Sequence, residues 1–181
     1  MFDYLSRNGP LAIVVMGVSG SGKSTLGTML AGAIGCPFFE GDDFHAAESI
    51  SRMRAGMPLT DADRWPWLER LGLAIGASLA GSGIAVASCS ALKRSYRDRL
   101  RATIPVPVAF VLLDGQEEEL RRRMAARGDH YMPASLLDSQ LASLERPRPD
   151  EAALILDARL PTDLLCARVA EWLKAWLRVR P

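Results

Sequence analysis

The stretch Gly17-Val18-Ser19-Gly20-Ser21-Gly22-Lys23-Ser24 matches G-x-x-x-x-G-K-[ST] at every fixed position. The pattern constrains the fold because it works only between a strand and a helix. The apolar run Leu11-Ala12-Ile13-Val14-Val15-Met16 before it reads as a buried parallel strand, and Lys23 onward reads as helix. Glycines allow successive backbone N–H groups to converge on phosphate oxygens at the helix N-terminus. Lys23 would reach the β and γ phosphates of a nucleotide, and the Ser24 hydroxyl would be the first protein ligand of Mg²⁺. Thr25 completes the expected nucleotide-binding set. ATP and Mg²⁺ are therefore the expected cofactors.

A chain of 181 residues suits one domain with a sizeable core, so residues 1–181 are expected to form one unit. The net charge of +1 gives no global attraction to nucleic acid or to an anionic membrane. Apolar runs are strand-length, and Met1 to Pro10 lacks the pattern of a secretory signal, so the expected location is cytoplasmic. Cys36, Cys89 and Cys166 are far apart and outside metal-ligand spacing, which predicts reduced thiols.

Along the chain, Lys23 to Ile34 reads as a helix stopped by Gly35. A short strand at Phe38-Phe39 leads into Glu40-Gly41-Asp42-Asp43-Phe44-His45, at the sheet edge where ligands bind in open parallel sheets. Asp42 is a candidate to accept a proton from a substrate hydroxyl, with His45 beside it. Asp43 is expected to cap the next helix, and Thr60, Asp61 and Asp63 to start another. Trp67, Leu68, Leu71, Ile75 and Leu79 recur at helical spacing and read as core.

A strand from Ile84 to Ala87 ends without the carboxylate that many phosphate-loop enzymes use for magnesium. Lys93, Arg97 and Arg101 then share a helix face, and Arg97 would suit a small carboxylate substrate. A strand from Val106 to Leu113, a helix from about Gln116 to Ala126, and the glycine-containing segment 127–133 follow. Arg123 and Arg127 are placed to neutralise charge on a transferred phosphoryl group, in a lid spanning about 123–133. Ala153 to Leu156 is the fifth strand, with Asp157 to Pro161 where an adenine ring could lie. The final helix turns Leu165, Val169, Trp172, Leu173 and Trp176 to the sheet. Alternating strands and helices predict an α/β fold with five parallel strands flanked by helices.

Beyond the phosphate loop, three blocks stand out. They are Gly41-Asp42 with His45, then Met53 with Gly56-x-Pro58-Leu59-x-Asp61-x-Asp63-Arg64-x-Pro66-Trp67-Leu68, then Cys89-Ser90-Ala91-Leu92-Lys93-x-x-Tyr96-Arg97-Asp98. From Leu11 to the final helix, these make the chain resemble the gluconate kinase family of P-loop small-molecule kinases. The resemblance implies strand order 2-3-1-4-5 and ATP-dependent phosphorylation of D-gluconate at its 6-hydroxyl. It implies that Asp42 is the base and that Asp42 and His45 bind the acceptor. Arg52, Lys93 and Arg97 would form an acceptor-side basic cluster. Arg123, Arg127 and His130 match the family's lid, with His130 also an acceptor contact. Members of the family are often homodimers. Two alternatives are a kinase of another small hydroxy acid such as shikimate, and an ATP-binding switch without acceptor chemistry.

Overall fold

The computed structural model describes residues 2, 4–126 and 135–179. Five strands form one parallel sheet: β1 (Leu11–Met16), β2 (Phe38–Glu40), β3 (Ile84–Cys89), β4 (Val108–Asp114) and β5 (Ala153–Asp157). Their order is β2-β3-β1-β4-β5, as the resemblance implied. The helices are α1 (Lys23–Ile34), α2 (Ala47–Arg54), α3 (Asp61–Ser82), α4 (Arg94–Thr103), α5 (Glu117–Ala125), α6 (Ser135–Ser143) and α7 (Thr162–Val179). Parallel neighbours need crossovers, and the helices that make them cover both faces of the sheet.

Alternation along β1 divides the core into two layers. Leu11, Ile13 and Val15 join Leu26 and Leu30 of α1 and Val169 and Leu173 of α7. Ala12, Val14 and Met16 face the other way, toward Leu68 and Leu71 of α3 and Tyr96 and Leu100 of α4. On that second face Ala12, Ala85 and Ala87 leave room for Trp67 of α3 and Tyr96 of α4, both buried. Burying side chains of this size contributes roughly 1.5–3 kcal/mol each. Small strand residues opposite large helix residues therefore bring α3 and α4 close to the sheet.

Two expectations need correction. The fourth strand starts at Val108 rather than Val106, although the Pro107 carbonyl still accepts from Ala12 N–H at 3.0 Å. Proline has no N–H to return, so regular pairing begins after it. Asp43 does not cap α2. It lies in a 3-10 turn, Gly41–Phe44, and the cap position is Ala46, which makes no side-chain cap bond. The start of α3 does follow its sequence signal: Thr60 and Asp63 form a reciprocal capping box. The three cysteines are free thiols. Among the described residues no helix is long and apolar enough to cross a membrane.

Candidate active site

The phosphate-loop segment connects β1 to α1 as its sequence requires. Gly17 has φ 141°, and a Cβ there would lie 2.7 Å from the Leu113 carbonyl oxygen, so only glycine fits. The N-cap of α1 is Gly22 in a left-handed conformation, with no side-chain cap over the first turn. The helix end is thus left open to an anion. Lys23 Nζ donates to the Val18 carbonyl at 3.0 Å, folding its charge back over the loop. Ser24 and Thr25 are exposed on the first turn of α1. Ser21 Oγ is buried without a hydrogen-bond partner among the described residues.

Gln140 of α6 grips this loop. Ser19 N–H donates to Gln140 Oε1 at 2.7 Å, and Gln140 Nε2 donates to Ser19 Oγ at 3.2 Å. Gln140 read in the sequence only as a helix position. Its signal was there as a polar residue among Leu136, Leu137, Leu141 and Leu144, and such a residue, once buried, must find a partner.

A groove of about 550 Å³ runs along one side of the loop, lined by Gly20, Gly22, Thr25, Arg123, Ala158 and Pro161 among others. Arg123 is fixed there by Glu119 at 2.7 Å and by the Ala158 carbonyl at 2.9 Å. The segment expected to lie near adenine therefore meets the loop across Arg123. Arg127, His130 and the rest of segment 127–134 lie outside the described residues.

The opposite side is built on Gly41. A Cβ at Gly41 would sit 2.2 Å from the Ser88 carbonyl oxygen, so the 3-10 turn lies against β3 only because that side chain is missing. Trp67 Nε1 secures the turn by donating to the Gly41 carbonyl at 2.7 Å. This turn brings Asp42 and His45 into one cavity with Lys23, Arg64, Ser90 and Gln140. The cavity holds about 20 Å³, and Met53, Leu59 and Leu136, packed together in one cluster, supply its apolar lining. That volume is room for about one water molecule.

His45 stacks on Trp67 with ring centroids 4.2 Å apart. Burial pushes its imidazole down to about 4; Asp42 opposes the shift, and Arg64 and Arg70 reinforce it. His45 is accordingly neutral near pH 7. Its Nδ1 is buried and has no hydrogen-bond partner among the described residues.

The expected basic cluster is rearranged. Arg97 is fully buried, with Nε and an NH2 group 2.6 and 2.9 Å from the Glu151 carboxylate and NH1 donating to the carbonyls of Ala91, Leu92 and Glu145. It is a structural clasp and not an acceptor contact. Lys93 is paired with Asp61 at 2.7 Å and Arg52 with Asp63 at 3.0 Å. Among the described residues, neither Lys93 nor Arg52 lines the cavity. The cation that does line it alongside Lys23 is Arg64, present in the quoted motif but given no role from sequence.

Known proteins with similar sequence and structure bear on this site. The AAA domain family matches residues 13–147. A gluconokinase of Gluconobacter oxydans is 45% identical over 86% of this chain and 87% of its own length. The structure of a sugar kinase from Janibacter sp. superposes with TM-score 0.86 at 48% identity, covering 91% of this chain and 95% of that one. A gluconokinase structure from Sinorhizobium meliloti gives TM-score 0.77, also at 48% identity, covering 92% and 97%.

Proposed function

The chain belongs to the gluconokinase family, and from that premise we infer that it transfers the γ-phosphoryl group of ATP to the 6-hydroxyl of D-gluconate, giving 6-phospho-D-gluconate and ADP. One observation supports the reading above the rest: Lys23 of the phosphate loop and Asp42 of the β2 edge line a single cavity. Donor and acceptor chemistry therefore meet at one place.

ATP lies with its phosphates on residues 17–25 and its base toward the groove of Arg123 and Ala158. The acceptor enters beside Asp42 and His45. Asp42 takes the proton of the 6-hydroxyl as that oxygen bonds to the γ-phosphorus and the bond to the β-phosphate oxygen breaks. Lys23 offsets charge on the β and γ phosphates, and Arg123, held in the groove beside the loop, adds positive charge on the donor side. Neutral His45 lines the acceptor side without adding charge. The exposed Ser24 hydroxyl suits Mg²⁺, which takes few protein ligands and shares its sphere with phosphate and water. When bound, the ion would neutralise phosphate charge. Narrow walls around the acceptor would exclude water that otherwise accepts the phosphoryl group. With ATP and a small dissolved acid as its substrates, the enzyme would work in the cytoplasm.

A coupled assay of ADP release across D-gluconate, other aldonates and shikimate tests this directly. Saturable, acceptor-dependent turnover with gluconate as the best substrate is expected. Turnover on shikimate with none on gluconate would overturn the assignment, and ATP binding with no acceptor-dependent turnover would favour a switch.

A further inference from the structure

We propose that Arg64 determines acceptor specificity by binding the substrate's carboxylate while Asp42 engages the hydroxyl to be phosphorylated. The inference rests on the reaction assigned above and identifies which cation reads the acid end of the acceptor.

Five basic residues on this side of the protein compete for the role, and Arg70, whose Nε donates to the Phe44 carbonyl at 3.0 Å, does not line the cavity. Glu151 takes Arg97, Asp61 takes Lys93 and Asp63 takes Arg52. Arg64 forms no ion pair among the described residues, and its Nε is buried without a hydrogen-bond partner there. It projects from the first turns of α3, whose start is set by the capping box of Thr60 and Asp63. Its guanidinium carbon lies 5.7 Å from the centroid of the Tyr96 ring. The Tyr96 hydroxyl donates to Asp61 at 2.5 Å, so the ring under Arg64 is itself held in place. Without an ion pair, this guanidinium keeps N–H donors for a planar anion.

The surroundings favour an anion there. Met53, Leu59 and Leu136 line part of the cavity beside polar groups, and a buried guanidinium nitrogen without a partner is costly. Lys23 belongs to the phosphate loop and Asp42 is an acid, which leaves Arg64 as the group of the right sign and shape. An acceptor with a hydroxyl at one end and a carboxylate at the other fits that polarity. A neutral polyol of the same length would leave Arg64 unpaired.

Steady-state kinetics on wild type, Arg64→Met and Arg64→Lys test the assignment, with D-glucitol as a neutral competitive inhibitor. In Arg64→Met the KM for gluconate should rise about 30-fold or more, as expected for losing one partner of a desolvated charge pair. The KM for ATP and the inhibition constant of D-glucitol should stay within about twofold of wild type, well inside the tenfold that 1.4 kcal/mol represents. Arg64→Lys should recover part of the loss, because it restores charge without the fork. An unchanged gluconate KM in Arg64→Met, or equal weakening of gluconate and glucitol, overturns the proposal. If Arg64→Met does not fold, Arg64→Lys decides by the same ratio of gluconate to glucitol affinity. Calorimetric titration of wild type and Arg64→Lys separates this proposal from the reaction assignment. Gluconate binding that depends on Arg64, without turnover, would refute the reaction and leave Arg64's role standing. Turnover of gluconate with affinities indifferent to residue 64 would do the reverse.

Discussion

Arg97 and Glu151 form an ion pair of two contacts, at 2.6 and 2.9 Å, with both side chains 1% exposed. It joins α4 to the segment before β5 across 54 positions of sequence. Arg97 also holds the carbonyl of Ala91, the only non-glycine with positive φ (41°) among the described residues. The pair thus fixes the turn after β3 that carries Ser90 into the cavity of Asp42 and His45.

Breaking this pair should be expensive for stability. Glu151→Ala leaves a buried guanidinium without its carboxylate and should cost about 3–5 kcal/mol in denaturant unfolding. The Glu151 carboxyl is pulled down to about 2, chiefly by its hydrogen bond from Arg97. Its contribution is therefore complete above the ordinary glutamate value and lost as pH falls from about 4.5 toward 2. Unfolding curves for wild type and Glu151→Ala should converge over that window. A variant as stable as wild type at pH 7 would contradict the clasp.

His45 gives a pH dependence in a different range. Its folded value of about 4 lies below the ordinary 6.5, so the unfolded chain binds the extra proton first. Stability is complete above pH 6.5 and falls as pH drops toward 4, by about 1 kcal/mol at pH 5.5. His45→Phe preserves the stacking on Trp67 and should remove that slope. Denaturant midpoints at pH 7.5 and 5.5 for both proteins check it; an identical slope in the variant would exclude His45.

Gln140→Ala should damage the donor side from a distance. It removes the acceptor of the buried Ser19 N–H bond, and losing such a bond costs about 1–3 kcal/mol. The expected result is a KM for ATP raised up to about tenfold, with gluconate affinity less affected. Unchanged ATP kinetics would mean that the loop keeps its shape without α6.

Asp42→Asn keeps size and hydrogen bonding but cannot accept the proton. Its kcat should fall by about 10²–10⁴, with ATP affinity measured by titration unchanged. Wild-type turnover would remove Asp42 from the mechanism.

The donor half of the site and the layered α/β fold were legible in the sequence because their signals are local. Residues 17–24 carry their meaning in consecutive positions, and each strand announces itself by an apolar run bounded by glycine, proline or acid. The capping box of Thr60 and Asp63 spans three positions and reads as easily. The assignment of Asp43 to a cap failed, although it too rests on near neighbours. Gly41 packs against the Ser88 carbonyl and draws the chain into a 3-10 turn that takes Asp43 out of capping position.

The acceptor half depended on tertiary structure. From spacing alone, Arg52, Arg64, Lys93 and Arg97 are equally charged and equally available. What separates them is which carboxylate arrives beside each: Asp63 from 11 positions away, Asp61 from 32 and Glu151 from 54. A long side chain on a helix reaches several neighbours, and burial decides which contact is worth keeping. The sequence by itself determined that this chain folds around a phosphate loop and handles a nucleotide. Only the packing of α3, α4 and the segment before β5 decided which cations are tied up in ion pairs and that Arg64 lines the cavity of Asp42 and His45.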